Sequence, residues 1–276
     1  MVARFDPWAR VEKAKSPGSG PVASPASRCF VTHRRHLLVY RPLDAFSVSA
    51  GKATNMLVIP DLLSAQELGV VRGTLQRAPF VDGATSGKKS LKKNLQADKA
   101  HPEVQQATKA VVGKMMAHRA FTSFAMPKNV ILMFNRYDPG MTYKDHMDAA
   151  LMGPSQTQAL RADLSFTVFL TDPADYDGGE FILQTPFGPE KLKHPAGTLM
   201  CYPSNMLHRV DPIRKGTRWC AVGWVQSFLR LNEHRVIAHQ LDELRYRMAE
   251  ALPEDSPLPE EFASVYQNLL RLWAEV

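Results

Sequence analysis

Apolar and polar positions recur with two different periods along this chain, and the period changes where the architecture does. MLVIP (56–60) is a short apolar run stopped by proline, the pattern of a strand. Ser64 then stands three residues before Glu67, a capping box that opens a helix with Leu68, Val71 and Leu75 at helical spacing. A second helix over 102–121 sets Val104, Ala107, Val111, Met115 and His118 on one face. After it the pattern shortens. NVILMFNRY (129–137), DLSFTVFL (163–170), GEFILQT (179–185), GTLMCYP (197–203) and RWCAVGWVQS (218–227) are brief segments rich in β-branched and aromatic residues. Turn signals separate them: DPG, DYDGG, FGPEK and PAG. Short strands with Gly/Pro turns at this spacing predict a jelly roll or a related barrel. Helical spacing returns at 229–252, with Val236, Ile237, Leu241, Leu244 and Met248. Beyond a proline linker (253–259), Phe262, Val265, Tyr266, Leu269 and Trp273 share one face of a last helix. The layout is α+β: a jelly-roll (double-stranded β-helix) core, N-terminal helices packed on it, and a C-terminal helical pair.

Residues 1–55 read differently. SPGSGPVASPAS (16–27) has no apolar periodicity and cannot repay the entropy of ordering. The segment holds no secretory signal, since no apolar h-region follows a charged start. It is expected to be a disordered leader or an upstream over-call of the start site, with Met56 opening the folded domain. The expected organisation is leader 1–55, core domain 56–228 with its N-terminal helices, and helical extension 229–276.

Charge changes the picture less than its total suggests. The net charge is +7, but residues 1–55 hold nine Lys/Arg against three Asp/Glu, which is nearly all of the excess. A nucleic-acid-binding domain carries its charge as a patch on the folded body, so no nucleic-acid partner is expected. Apolar residues make up 45% and charged residues 22%, the proportions of a globular protein with its own core. No apolar run is long enough to span a membrane. Cys29, Cys201 and Cys220 are scattered and odd in number, which argues against a zinc ribbon or disulfide framework and suits a reducing cytoplasm.

The residues that carry chemistry are His146-x-Asp148 and, sixty positions on, His208. Side chains at i and i+2 of an extended segment point to one side, so His146 and Asp148 can grip one ion together. In a jelly roll a later strand carrying His208 can run beside them. Two histidines and one carboxylate form the facial triad of a non-haem Fe(II) oxygenase, with positions left for cosubstrate and O2. A bare HxD is common by chance, and its histidine is as readily a solvated loop residue or a hydrogen-bonded core one. Arg218, ten residues beyond His208 at the start of a strand, adds a guanidinium able to grip a carboxylate bidentately, as 2-oxoglutarate requires; an exposed strand-edge arginine is the plain alternative.

NRYDPGMTYKDHMDAALM (135–152), RADLSFTVFLTDPADYDGGEF (161–181) and KLKHPAGTLMCYPSNMLHRVDPIRKGTRWCAVGWVQS (191–227) together resemble the PKHD-type hydroxylases. These are Fe(II)/2-oxoglutarate dioxygenases related to prolyl 4-hydroxylase catalytic domains. The resemblance runs from Met56 to the C-terminus. It implies His146, Asp148 and His208 as iron ligands and Arg218 as the 2-oxoglutarate anchor, with Fe(II), 2-oxoglutarate, O2 and ascorbate as the reaction's small molecules. The implied reaction is hydroxylation of an unidentified substrate, a peptidyl residue or a small molecule, with release of succinate and CO2. A link to iron homeostasis is an association of the family only. A halogenase would need a small residue in place of Asp148.

Other readings stay open. A jelly roll that binds metal or 2-oxoglutarate without turnover, or a cupin-type zinc hydrolase, would use the same three ligands; Arg218 favours the dioxygenase. Tyr137 and Tyr143 flank the Pro139–Gly140 turn, and either could donate its hydroxyl to a 2-oxoglutarate carboxylate or pack the turn. Asp177-Gly178-Gly179-Glu180 reads as a tight turn rather than a catalytic acid pair. Residues 149–162 lack strand pattern and form a candidate lid over the substrate, with a plain surface loop as the alternative. Cys201 and Cys220 are expected to be buried hydrophobes. The apolar excess of the last helix predicts a homodimer through the C-terminal helices, with packing against the protomer's own β core as the alternative.

Overall fold

The computed structural model describes residues 56–86, 90–153 and 158–276, so the expectations for residues 1–55 fall outside the described residues. Strand β1 (Leu57–Ile59) leads into helix α1 (Ala65–Arg77). Ser64 caps α1 in a full capping box with Glu67, as the sequence predicts. Short strands β2 (Phe80–Asp82), β3 (Lys92–Lys93) and β4 (Leu95–Ala97) precede helices α2 (Pro102–Ala117) and α3 (Arg119–Ala125). The core follows: β5 (Pro127–Tyr137), β6 (Thr142–His146), β7 (Leu151–Met152), β8 (Leu160–Arg161), β9 (Leu164–Phe169), β10 (Tyr176–Gly178) and β11 (Phe181–Thr185). It continues through β12 (Gly188–Leu192), β13 (Leu199–Pro203), β14 (His208–Val210), β15 (Ile213–Gly216) and β16 (Arg218–Ser227). Helices α4 (Asn232–Ala251) and α5 (Leu258–Trp273) close the chain.

Two antiparallel sheets carry the fold, ordered β1-β13-β9-β16-β5-β4-β2 and β12-β11-β14-β6-β3. Their pairings nest: β5 with β16, β6 with β14, β9 with β13, and β11 with β12. First strand pairs with last, second with second-last, and so inward, as in a long hairpin rolled upon itself. That is the jelly-roll topology. The larger sheet is covered on both faces. Leu164, Phe166 and Val168 of β9 pack outward against Val71, Leu75, Val111, Met115, Phe121 and Phe124 from the three N-terminal helices. Phe169, Tyr137, Cys220 and Tyr202 pack inward with Phe181, Leu183 and Val210 of the smaller sheet. Leu164, Phe166 and Val168 therefore alternate along β9 with Ser165 and Thr167, which face the other side of a sheet that is buried on both faces.

Several expectations are corrected. The helix expected over 102–121 breaks at His118, whose extended backbone (φ −88, ψ 114) ends α2 and starts α3. On an unbroken helix Phe121 and Phe124 would fall off the stripe set by Val111 and Met115; the break buries both. On α4 the buried side chains are Arg235, Ala238 and Asp242, while Ile237 and Leu244 of the expected stripe stand 42% and 41% exposed. Polar contacts choose that face: Arg235 donates to the nearby carbonyls of Leu229 and Arg230, and Asp242 pairs with the distant Arg119. Tyr266, Leu270 and Trp273 of α5 complete a small cluster with Leu229 and Ala238, whereas Val265 is exposed. Residues 149–162 are not a plain loop, because β7 and β8 pair as a hairpin within them. The tight turn expected at Asp177–Glu180 is instead a bulge in an extended segment, where β10 pairs with β15 and β11 with β14. Between them the Gly179 N–H donates to the Pro212 carbonyl and the Asp211 N–H to the Glu180 carbonyl. Gly178 and Gly179 take φ of 75 and 66, while Asp177 is held by Arg214 rather than facing the interior. Cys201 and Cys220 are free and buried.

Candidate active site

Strand pairing brings the two histidines together. β14 and β6 are neighbours in the smaller sheet, and His208 lies directly opposite His146. His146 is the last residue of its strand, so Asp148 approaches from the following loop and not from the strand itself. This revises the simple i, i+2 strand geometry: the loop turns the carboxylate back towards both rings. The three residues offer ligand atoms all within 4.8 Å of one another.

Hydrogen bonds aim these atoms. His146 Nδ1 lies 2.7 Å from the Lys144 carbonyl and His208 Nδ1 2.9 Å from the Met206 carbonyl. A carbonyl can only accept, so each Nδ1 carries the proton and each Nε2 presents a lone pair. Those Nε2 atoms face Asp148, at 3.9 Å and 4.0 Å from its two oxygens. Burial, then the neighbouring His208, push the His146 pKa down to about 4, which keeps that ring neutral and fit for a metal. Tyr143 stacks on His146 at 3.5 Å between ring centroids, and Phe181 on His208 at 5.2 Å.

Asp148 is fixed from behind by a residue the motif does not mark. Ser165 Oγ donates to Asp148 Oδ2 at 2.5 Å and stands 2.8 Å from Ser204 Oγ. One hydroxyl has one proton, so Ser165 gives its own to the carboxylate and receives that of Ser204. The signal for Ser165 was present in DLSFTVF, where Ser165 and Thr167 alternate with large apolar residues and so share the barrel-facing side.

These groups line a cavity of about 450 Å³, with Arg218 and Tyr137 further along the same wall. Arg218 opens β16 opposite Tyr137 of β5 and is only 1% exposed, so the exposed-arginine alternative is excluded. Its guanidinium carbon is 5.4 Å from the Tyr137 ring centroid. One terminal nitrogen donates to Cys220 Sγ at 2.9 Å, a weak acceptor, and Nε has no partner among the described residues. A buried guanidinium so poorly matched fits a carboxylate in the cavity. Burial raises the Tyr137 hydroxyl well above its ordinary pKa, and burial followed by Asp148 takes Tyr143 to about 12, so both remain hydrogen-bond donors. Arg136 is engaged elsewhere, paired with Asp138 and placed over Trp219. Lys92, which no motif marks, also lines the cavity.

The donor set therefore fits a divalent iron, and Arg218 fits a dicarboxylate beside it. The matching family model and the sequence relatives agree. The family model of the 2OG-Fe(II) oxygenase superfamily matches residues 132–226, a span that contains both histidines, Asp148 and Arg218. A crystal structure of a Pseudomonas putida prolyl-4-hydroxylase aligns with 63% of this chain and 94% of its own, at 17% identity and a TM-score of 0.49. A PKHD-type hydroxylase of Paracoccus denitrificans is 37% identical over 225 residues, covering 80% of this chain and 99% of its own. One from Picosynechococcus is 41% identical over 224 residues, covering 79% and 98%. With such identity across nearly the whole length of these relatives, the chain belongs to the PKHD-type hydroxylases, 2-oxoglutarate-dependent oxygenases.

Proposed function

We propose that His146, Asp148 and His208 hold Fe(II) through two Nε2 atoms and one carboxylate oxygen, and that Arg218, assisted by Tyr137, grips the distal carboxylate of 2-oxoglutarate. The iron, with 2-oxoglutarate and O2, supplies oxidative decarboxylation to succinate and CO2 coupled to hydroxylation of a C–H bond. The chain's own residues do the rest. The Lys144 and Met206 carbonyls hold both histidines in the tautomer that presents Nε2. Ser165 holds the carboxylate, and Tyr143 limits rotation of His146 by stacking. Met133, Val222 and Trp224 keep water from the cavity wall. The observation that carries this reading is a two-histidine, one-carboxylate cluster in the same cavity as a buried, under-partnered arginine. That arginine disfavours the zinc hydrolase and the bare metal-binding module.

The test is thermal unfolding of the anaerobic Fe(II)-loaded chain with and without 2-oxoglutarate. A native-state ligand must raise the melting temperature. Formation of succinate under air, with ascorbate present to re-reduce iron after uncoupled turnover, completes it. No shift and no succinate would overturn the reading.

The finer assignments belong to the same proposal. The substrate is a peptidyl residue or a small molecule, and comparison of wild-type and deletion cells by untargeted metabolite and peptide analysis identifies it; unaltered iron-limited growth of the deletion would remove the link to iron homeostasis. Residues 56–228 form the catalytic domain and 229–276 a helical extension, so a chain lacking 1–55 retains iron binding and turnover. The exposed Val265 and Leu272 on α5 support a homodimer through these helices, and a monomer in light scattering would refute it. No helix among the described residues is long and apolar enough to cross a membrane. The free thiols fit the cytoplasm, which cell fractionation tests.

A further inference from the structure

Lys92 is a cation inside the cavity to which the reaction described above gives no task. It lies on β3, the edge strand of the smaller sheet, opposite Tyr143, and is 5% exposed. Its ammonium donates to Ser86 Oγ at 2.7 Å and sits 5.5 Å from the Tyr143 ring centroid. Ser86 in turn donates to Gln96 Oε1 at 2.7 Å. No carboxylate among the described residues lies within ion-pair distance; Asp148 and Asp82 act on it only through longer-range attraction. An ammonium has three protons to donate, and among the described residues one of them has a partner. Keeping such a group buried costs stability unless something pairs with it.

The cosubstrate does not supply that partner on a charge count. The two positive charges of Fe(II) and one of Arg218 are cancelled by Asp148 and the two carboxylates of 2-oxoglutarate. Lys92 is then a single uncompensated positive charge in the cavity. A group that neutralises it must arrive with the remaining reactant, and the same cavity carries apolar side chains on the larger sheet, Met133, Val222 and Trp224.

We propose that Lys92 is a specificity residue that pairs with a carboxylate of the primary substrate, whose apolar body lies against Met133, Val222 and Trp224. The assignment rests on the cavity being the 2-oxoglutarate-dependent active site.

Labelled benzoate and its uncharged counterpart benzamide are dialysed to equilibrium against the anaerobic full chain, loaded with Fe(II) and saturated with 2-oxoglutarate. The wild type is expected to hold benzoate about tenfold or more tighter than benzamide, the effect of a buried hydrogen bond between charged groups. In Lys92→Met that preference disappears, while benzamide and 2-oxoglutarate affinities stay at wild-type levels. Lys92→Arg retains it, which a merely structural role for Lys92 would not require. The proposal is overturned if the wild type shows no preference for benzoate, a result independent of how the variants fold. It is overturned equally if Lys92→Met keeps the preference. A loss of 2-oxoglutarate affinity in Lys92→Met matching the loss of benzoate would make Lys92 a second cosubstrate anchor and also overturn it. Failure of the wild type to take up 2-oxoglutarate is a separate result that removes the underlying reading, and the benzoate comparison on the iron-loaded chain still decides Lys92.

Discussion

Ser165→Ala tests whether iron affinity depends on a residue that never touches the metal. The substitution removes one hydroxyl, 2% exposed, that donates to Asp148 Oδ2 at 2.5 Å. At that burial water does not readily replace it, and Ser204 loses its acceptor as well. A hydrogen bond to a charged group contributes about 1.5–3 kcal/mol, so Fe(II) binding should weaken by about ten- to a hundredfold. The loss should appear in iron affinity and be largely restored by excess iron, because the three ligands and Arg218 are untouched. Ser204→Ala, one hydrogen bond further back, should cost less. Anaerobic competition with a chromophoric Fe(II) chelator measures both variants against wild type, and circular dichroism confirms that the fold is kept. Unchanged iron affinity in Ser165→Ala would refute the reasoning, as would a greater loss in Ser204→Ala.

Alanine at His146, Asp148 or His208 should abolish turnover and weaken iron binding with the fold standing; full activity in any one, with excess iron excluded, would sink the ligand set. Arg218→Lys should chiefly raise the KM for 2-oxoglutarate, because a point charge replaces a planar fork, and an unchanged binding curve for the cosubstrate would move the anchor elsewhere. Gly223→Ala should lose about 1–3 kcal/mol in urea unfolding, since its new Cβ would stand 2.1 Å from the Ile131 carbonyl oxygen and 2.5 Å from the Phe166 ring; an unchanged midpoint would refute that close approach. Burial lowers the pKa of His118, His194 and His239 below 6.5 in the folded chain. The unfolded chain then binds more protons between the folded pKa and 6.5, so stability is full above that window and falls as pH drops through it. A melting temperature unchanged between pH 7 and pH 5 would contradict this.

The sequence by itself determined most of what depends on local pattern. The capping box of α1 and the strands β5, β9, β13 and β16 follow from periodicity and capping between near neighbours. The four residues of the proposed iron and cosubstrate site were legible because their residue types and intervals are unusual together, and because the flanking segments resemble a known family. Tertiary structure decided what depends on partners far along the chain. The break at His118 exists because Phe121 and Phe124 reach the core only if the helix turns. The buried face of α4 follows Arg235 and Asp242, whose partners include Arg119, 123 positions from Asp242. Strands as short as β3 and β14 carry too few residues to show a period and exist through the neighbours that pair with them. Ser165 and Lys92 belong to the cavity for the same reason: one is a polar residue in an apolar strand and the other one lysine among many. Only the nesting of distant strands brings the first to Asp148 and leaves the second buried without a counter-charge among the described residues.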